Sequence, residues 1–124
     1  MTDIPTGHAE PPQVLIVLDA VDVDVVAAFW EAALRYRRVD RLEQYVVLVP
    51  QEGNDGLVFL VQGVTEAKQT KNRMHLDLHV ADPAAEAERL VALGATRLGD
   101  GTLGDIAWIC MTDPEGNEFD IGRR

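Results

Sequence analysis

The sequence predicts an α+β fold in which two tandem βαβββ modules form a curved mixed sheet around a cleft, with the helices outside. Three observations predict it. The chain of 124 residues is long enough for one domain. Each half carries one amphipathic helix among short strands, and the halves repeat at an offset of about 60 residues. Each half has one helix, and its strands lie on one side of that helix. Neither half can therefore bury its apolar face alone.

The composition bounds the partners of the protein. Hydrophobic residues make up 47% and charged residues 26%, as in globular domains. The net charge of -10 repels polyanions, so we expect no nucleic-acid partner. With Cys110 as the single cysteine, no intrachain disulfide is possible, which suits a cytoplasmic protein. The sequence shows no signal peptide and no apolar run near the roughly 20 residues that cross a bilayer, so we expect no membrane partner.

The first half opens with an aliphatic run, Val14 to Leu18, which predicts a buried strand. Asp22 is placed to cap the helix that follows, whose apolar positions recur at helical spacing through Phe29 and Trp30. Two further strands are predicted at 45–49 and 57–61, separated by an Asn-Asp-Gly turn. A short strand is also predicted at 39–42.

The second half repeats this plan. Residues 74–80 alternate between apolar and polar types, as in a half-buried strand. Asp82 is placed to cap a helix with Pro83 at its first position, and Gly94 is placed to end it. Strands are predicted at 106–111 and 118–121, with a turn at 113–116 between them.

These elements predict the domain organisation. Residues 1–12 form a flexible tail and residues 13–124 one domain, with module one at 13–63, a linker at 64–73 and module two at 74–124. A shift of about 60 residues aligns the modules without a gap, placing Asp22 on Asp82 and Phe59 on Phe119.

The second module carries the most specific motifs: Lys71-Asn72-Arg73-Met74-His75-Leu76-Asp77-Leu78, then Leu93-Gly94-Ala95-Thr96, then Asp113-Pro114-Glu115-Gly116-Asn117-Glu118-Phe119. This combination resembles the glyoxalase-like, bleomycin-resistance-like domains of the vicinal-oxygen-chelate superfamily. The resemblance covers nearly the whole chain after the tail. It implies a concave small-molecule site, in proteins that range from metal-dependent isomerases and dioxygenases to metal-free proteins that sequester antibiotics.

The resemblance also implies a ligand set. Metal-using relatives take ligands from the first and last strands of each module, and the matching positions of module two are His75 and Asp120. The matching positions of module one are Leu15 and Leu60, which cannot bind a metal. Half of the ligand set is therefore present. Either the site binds Fe, Zn, Ni or Mn, or it holds no metal. A partner chain can complete such a site, so a homodimer is a further prediction.

Strand periodicity places His75, Asp77 and His79 on one face of their strand, and Glu118 and Asp120 on one face of the last strand. We expect these residues, together with Asp19, to converge on one cleft. Trp108 follows a glycine-rich segment and either lines the cleft or joins the core.

Two functions follow from this cluster. In the first, His75, His79 and one or two of the carboxylates Asp77, Glu118 and Asp120 bind a divalent metal that polarises substrate oxygens. The spacing of His75 and His79, roughly 13 Å along a strand, makes it difficult for them to share one metal. In the second, the cleft has no metal: a histidine moves a proton or binds a ligand, and Glu118 or Asp120, its pKa raised by burial, is a general base. Binding without catalysis needs only an apolar pocket with a few well-placed polar groups.

For each of these polar residues taken alone, a purely structural role is the alternative to a role in function. Asp77 would then pair with Arg73 or Arg89, and Glu118 with Arg97. The segment 99–104 spells G-x-G-x-x-G but follows a helix, so it predicts a flexible turn rather than a dinucleotide site. Cys110 lies in an apolar strand, which predicts a buried structural thiol.

Overall fold

The computed structural model describes residues 10–124, so most of the predicted tail lies outside the described residues. Module one comprises β1 (Ile16–Ala20), α1 (Val23–Leu34), β2 (Arg37–Leu42), β3 (Tyr45–Val49) and β4 (Phe59–Gly63). Module two comprises β5 (Leu76–Val80), α2 (Pro83–Leu93), β6 (Thr96–Leu103), β7 (Ile106–Thr112) and β8 (Glu118–Arg123). Both modules follow the order βαβββ, which confirms the predicted fold class.

Each module folds into one four-stranded mixed sheet, and the two sheets have the same topology. The strand orders are β1-β4-β3-β2 and β5-β8-β7-β6. The first strand of each module pairs in parallel with the last, and the remaining pairs are antiparallel. The parallel pairing brings two strands that are distant in sequence side by side at one edge of each sheet.

The helices begin and end where their capping residues predict. Asp22 accepts a hydrogen bond from the Val25 amide at 3.2 Å, and Asp82 accepts one from the Ala85 amide at 3.1 Å. Gly94 ends α2 with φ of 121°, a conformation that favours glycine. Neither helix is long and apolar enough, in the part of the chain that is described, to cross a bilayer.

The helix-covered faces of both sheets share one hydrophobic core. Phe29 and Trp30 of α1 are almost fully buried. The Trp30 ring stacks on Phe59 of the first sheet at 5.4 Å and meets Phe119 of the second sheet edge-on at 5.1 Å. Since the covered faces meet in this core, the other face of each sheet is left open.

The glycine-rich segment 99–104 is not a flexible turn, and that prediction is wrong. It belongs to β6, which pairs with β7 through Leu103, and only Gly104 and Asp105 form the turn. Cross-strand hydrogen bonds override the local preference of glycine for turns.

The gap-free alignment of the modules is also wrong at the middle hairpin, because the turn of module one lies at Glu43 and Gln44, one position earlier than the offset requires.

Candidate functional site

The open face of the second sheet carries a wide cavity, which we call the cleft. Its volume is about 960 Å³, and its lining comes from all four strands of module two. The side chains of Leu76 and Leu78 pack against the core, whereas the alternating His75, Asp77 and His79 are exposed on the other face. Alternation along β5 thus separates an apolar core face from a polar cleft face.

A histidine and two carboxylates meet on the floor of this cleft. The His75 Nε2 atom lies 3.2 Å from Asp77 Oδ1 and 3.4 Å from Asp120 Oδ2. The parallel pairing of β5 with β8 sets Asp77 directly opposite Asp120. His75 is two residues before Asp77 and therefore on the same face. The structure thus brings together three residues that the sequence analysis selected.

The donor atoms of this cluster suit a divalent cation. One nitrogen and two carboxylate oxygens lie within 4.8 Å of one another. Imidazole and carboxylate ligands are typical of Mn, Fe and Zn sites, and carboxylates in particular suit Mn. The residues therefore fit a three-ligand centre that leaves coordination positions open. Asp77, one of the three carboxylates considered as metal ligands, belongs to this set, whereas His79 does not.

Glu118 lies on the same strand as Asp120 but interacts with the linker. Its carboxylate lies 3.2 Å from Lys68 Nζ and accepts a hydrogen bond from the Asn72 amide at 3.0 Å. Burial acts to raise the pKa of Glu118, but the hydrogen bonds from backbone amides and the Lys68 ammonium more than offset it, so the pKa lies below its usual value. The prediction of a raised pKa for Glu118 is wrong, and this residue does not line the cleft.

Asp19 does not join the cluster within one chain. It lines a second cavity of about 510 Å³ formed with the linker and Glu115, and this cavity shares no lining residue with the cleft. The reason is the common core: the helix-covered faces of the sheets meet there, so the open faces lie apart. The predicted convergence of Asp19 with His75 on one cleft is therefore not found in the single chain.

Cys110 and Trp108 are two residues apart on β7, and both are half-buried. Cys110 is paired in register with Asp120. Burial and the Asp120 carboxylate raise the pKa of the Cys110 thiol, which disfavours the nucleophilic thiolate. The thiol therefore lies beside the cluster and not deep in the core. Because alternate residues of a strand share a face, the position of Trp108 two residues earlier identifies the sheet face that carries Cys110.

The structural pairings predicted for Asp77 and Glu118 are not formed: Asp77 pairs with neither Arg73 nor Arg89, and Glu118 does not pair with Arg97. Arg89 pairs with Glu86 at 2.7 Å and also donates to the Ala32 and Ala33 carbonyls of α1. Arg97 pairs with Asp100 at 2.9 Å, and both line the cleft. Alternation along β6 identifies Arg97 and Asp100 as cleft residues, but the turn predicted for residues 99–104 hides this signal in the sequence.

Comparison with known proteins agrees with this architecture. The glyoxalase-like domain family matches residues 15–122. A glyoxalase-related enzyme from Fulvimarina pelagi has 21% identity and a TM-score of 0.70, over 90% of this chain and 88% of that one. The bleomycin resistance determinant of transposon Tn5 has 17% identity and a TM-score of 0.65, over 92% and 98% of the two chains. A search of curated proteins finds no match.

A third similar structure is a mutant of the fosfomycin resistance protein FosX from Listeria monocytogenes, in complex with Mn(II) and 1S,2S-dihydroxypropylphosphonic acid. Its TM-score is 0.75 at 15% identity, over 92% of this chain and 90% of that one. Identities this low establish the fold and not the activity. The family match spans most of the chain, and the protein is therefore a glyoxalase-like domain of the vicinal-oxygen-chelate superfamily.

Proposed function

We propose that the protein binds a small oxygen-bearing molecule in the module-two cleft and that His75, Asp77 and Asp120 hold a divalent cation there. The observation that carries this proposal is the cluster of three donor atoms, all within 4.8 Å, on the floor of a cleft of about 960 Å³. Clefts of this size accommodate metabolite-sized and drug-sized ligands.

The donor set favours a particular group of cations. Two carboxylates and one imidazole suit Mn(II) or Fe(II) better than the softer ions that thiolates select. The Mn(II) complex of the FosX relative supports the same choice. A cation held there would supply Lewis-acid polarisation of ligand oxygens, which an enzyme acting on a carbonyl or hydroxyl substrate requires. The chain itself contributes the carboxylate charge and the fixed orientation of His75 between Asp77 and Asp120.

Isothermal titration with Mn(II) tests this proposal, supported by elemental analysis of the tag-free protein. We expect one equivalent per chain in the wild type and a loss of at least about tenfold in affinity in Asp77→Asn and Asp120→Asn. Asp105→Asn is the matched control: it removes the same charge from the cleft lining but lies outside the cluster. Equal affinity in all three variants would refute a site at the cluster.

Metal-free ligand binding is the second candidate function. It is supported by Leu15 and Leu60, which offer no donor atoms at the first-module positions. It is supported too by the fold likeness to the Tn5 bleomycin resistance determinant. In this case His75 itself would bind the ligand, oriented by the two carboxylates. Protein that takes up none of Mn, Fe, Zn or Ni, yet binds small molecules in the cleft, would favour this function.

We also propose that a second copy of the chain covers the open face of the first sheet. Val17, Leu60 and Val47 lie in register across β1, β4 and β3 on that face. Val17 is 50% exposed and Leu15 is 43% exposed. Exposed apolar side chains grouped on one sheet face are typical of a protein interface. A homodimer formed there would protect this face from water.

A further inference from the structure

Two aromatic rings and two glycines alternate in one row across the second sheet. The cross-strand partners run from His79 to Gly122, from Gly122 to Trp108, and from Trp108 to Gly101. All four residues line the cleft. The row therefore forms a stretch of the cleft floor in which every second position lacks a side chain.

Each glycine makes room for the neighbouring ring. A Cβ atom added at Gly101 would lie 2.3 Å from the Trp108 Cε2 and Nε1 atoms, a distance at which the indole must move. A Cβ atom added at Gly122 would lie 3.2 Å from His79 Cδ2, which is also tighter than an ordinary contact. The indole and the imidazole thus lean over the bare backbone. Glycine within a strand is typical of such close approach.

The row lies next to the polar cluster along the strands. Asp77 and Asp120 are each two residues from this row, on the same sheet face, which corresponds to about 7 Å. One small molecule can span that distance. Aromatic rings that line an open cleft offer π-surface that stacks on planar groups, whereas a saturated ligand gains only general apolar contact.

We propose that His79 and Trp108 form a stacking platform for a planar aromatic group of the ligand, next to the oxygen-binding cluster. This inference rests on the proposed binding function of the cleft and specifies the chemical class of its ligand. The ligand is then a molecule with an aromatic ring system at one end and an oxygen substituent at the other. Gly101 and Gly122 are positioning residues, because they act through the rings that lean on them.

Nuclear magnetic resonance can test the platform directly, because the chain contains only two tryptophans. The probe is naphthalene-2-methanol, and its saturated counterpart decahydronaphthalene-2-methanol carries the same hydroxyl group without a planar ring. We expect the Trp108 indole N–H signal to shift with the aromatic probe. The Trp30 signal should not move, because that ring is buried and its N–H is bonded to Asp113. The saturated compound should bind about tenfold more weakly.

Two glycine variants on the same strand provide a matched pair. Gly101→Ala displaces the indole and should weaken binding of naphthalene-2-methanol about tenfold, whereas a Cβ atom at Gly99 meets nothing within 4 Å, so Gly99→Ala should bind like the wild type. The Trp30 indole signal reports whether each variant is folded. If Gly101→Ala does not fold, Trp108→Leu removes the ring without adding an atom to the backbone, and it should weaken binding similarly.

The outcomes separate this inference from the proposed cation site. An unmoved Trp108 signal, or equal affinity for the two probes, would overturn the platform while leaving Mn(II) titration as an independent result. Gly101→Ala should keep its Mn(II) affinity, because Gly101 lies outside the cluster. Loss of Mn(II) binding in every protein, together with a normal Trp108 shift, would reject only the cation site.

Discussion

The indole N–H of Trp30 donates a hydrogen bond of 2.9 Å to Asp113 Oδ2, joining α1 of module one to the turn before β8 of module two. The other carboxylate oxygen of Asp113 accepts from the amides of Glu115 and Asn117, both at 2.9 Å. Asp113 is 2% exposed, so these donors replace the water that an ionised carboxylate would otherwise bind. The turn that supports β8, and with it Asp120, is therefore tied to the core of the other module.

Trp30→Phe should lower the free energy of unfolding by at least about 2 kcal/mol. The substitution removes a hydrogen bond to a charged group and leaves a buried carboxylate short of one donor. Urea denaturation at pH 7 measures the loss. Trp108→Phe makes the same chemical change at a half-buried site and should cost clearly less.

The contribution of the Trp30 hydrogen bond to stability can be measured separately from the effect of the smaller ring. Because Trp30 and Asp113 are direct partners, the double variant Trp30→Phe/Asp113→Asn should be less destabilised than the sum of the single changes. Additive effects within about 0.3 kcal/mol would show that the hydrogen bond contributes nothing specific.

Glu115→Gln should lower stability by about 1 kcal/mol. The Glu115 carboxylate accepts hydrogen bonds from the backbone amides of Val21 at 2.8 Å and Asp22 at 2.6 Å, next to the positive end of α1. An amide keeps the shape but loses the charge and one acceptor oxygen. Glu52→Gln, on an exposed loop, is the control and should have no measurable effect on the thermal midpoint. Equal midpoints for the two variants would contradict the prediction.

Glu118 should contribute stability that depends on pH. Its pKa in the folded protein lies below the ordinary value of 4.5. A lowered folded pKa means that the contribution is present above the ordinary pKa and is lost as pH falls through the folded pKa. The stability difference between wild type and Glu118→Gln, measured by urea denaturation, should therefore be largest near pH 7 and shrink below about pH 4.5. A difference that is constant from pH 7 to pH 3 would exclude this contribution.

Val17→Lys should shift the proposed homodimer towards monomer. A lysine on the open face of the first sheet places a charge in the apolar interface, where its burial is costly. Light scattering coupled to size exclusion measures the mass. Val25→Lys is the matched control, since Val25 is 49% exposed on α1 and Val17 is 50% exposed on the sheet. A wild-type protein that is monomeric at all concentrations would reject the dimer.

Much of the fold could be read from local patterns. Asp22, Asp82 and Gly94 each act through a backbone group within a few residues, so their capping roles follow from sequence alone. The cleft face of β5 was equally predictable, because alternation puts His75, Asp77 and His79 together on any strand. The assignment of β6 failed for the opposite reason: its glycines favour turns locally, and only pairing with β7 makes a strand of them.

By itself the sequence determined the two βαβββ modules, the helix ends and the polar face of β5, since each depends on hydrogen bonds and periodicity within a short segment. Only the tertiary structure decided which residues meet. Parallel pairing of β5 with β8 brought Asp120 next to Asp77 and His75, and contacts with the linker hold Glu118 away from them. The shared core separated Asp19 from the cleft. These contacts join segments far apart in the chain, and their geometry depends on packing that no local pattern specifies.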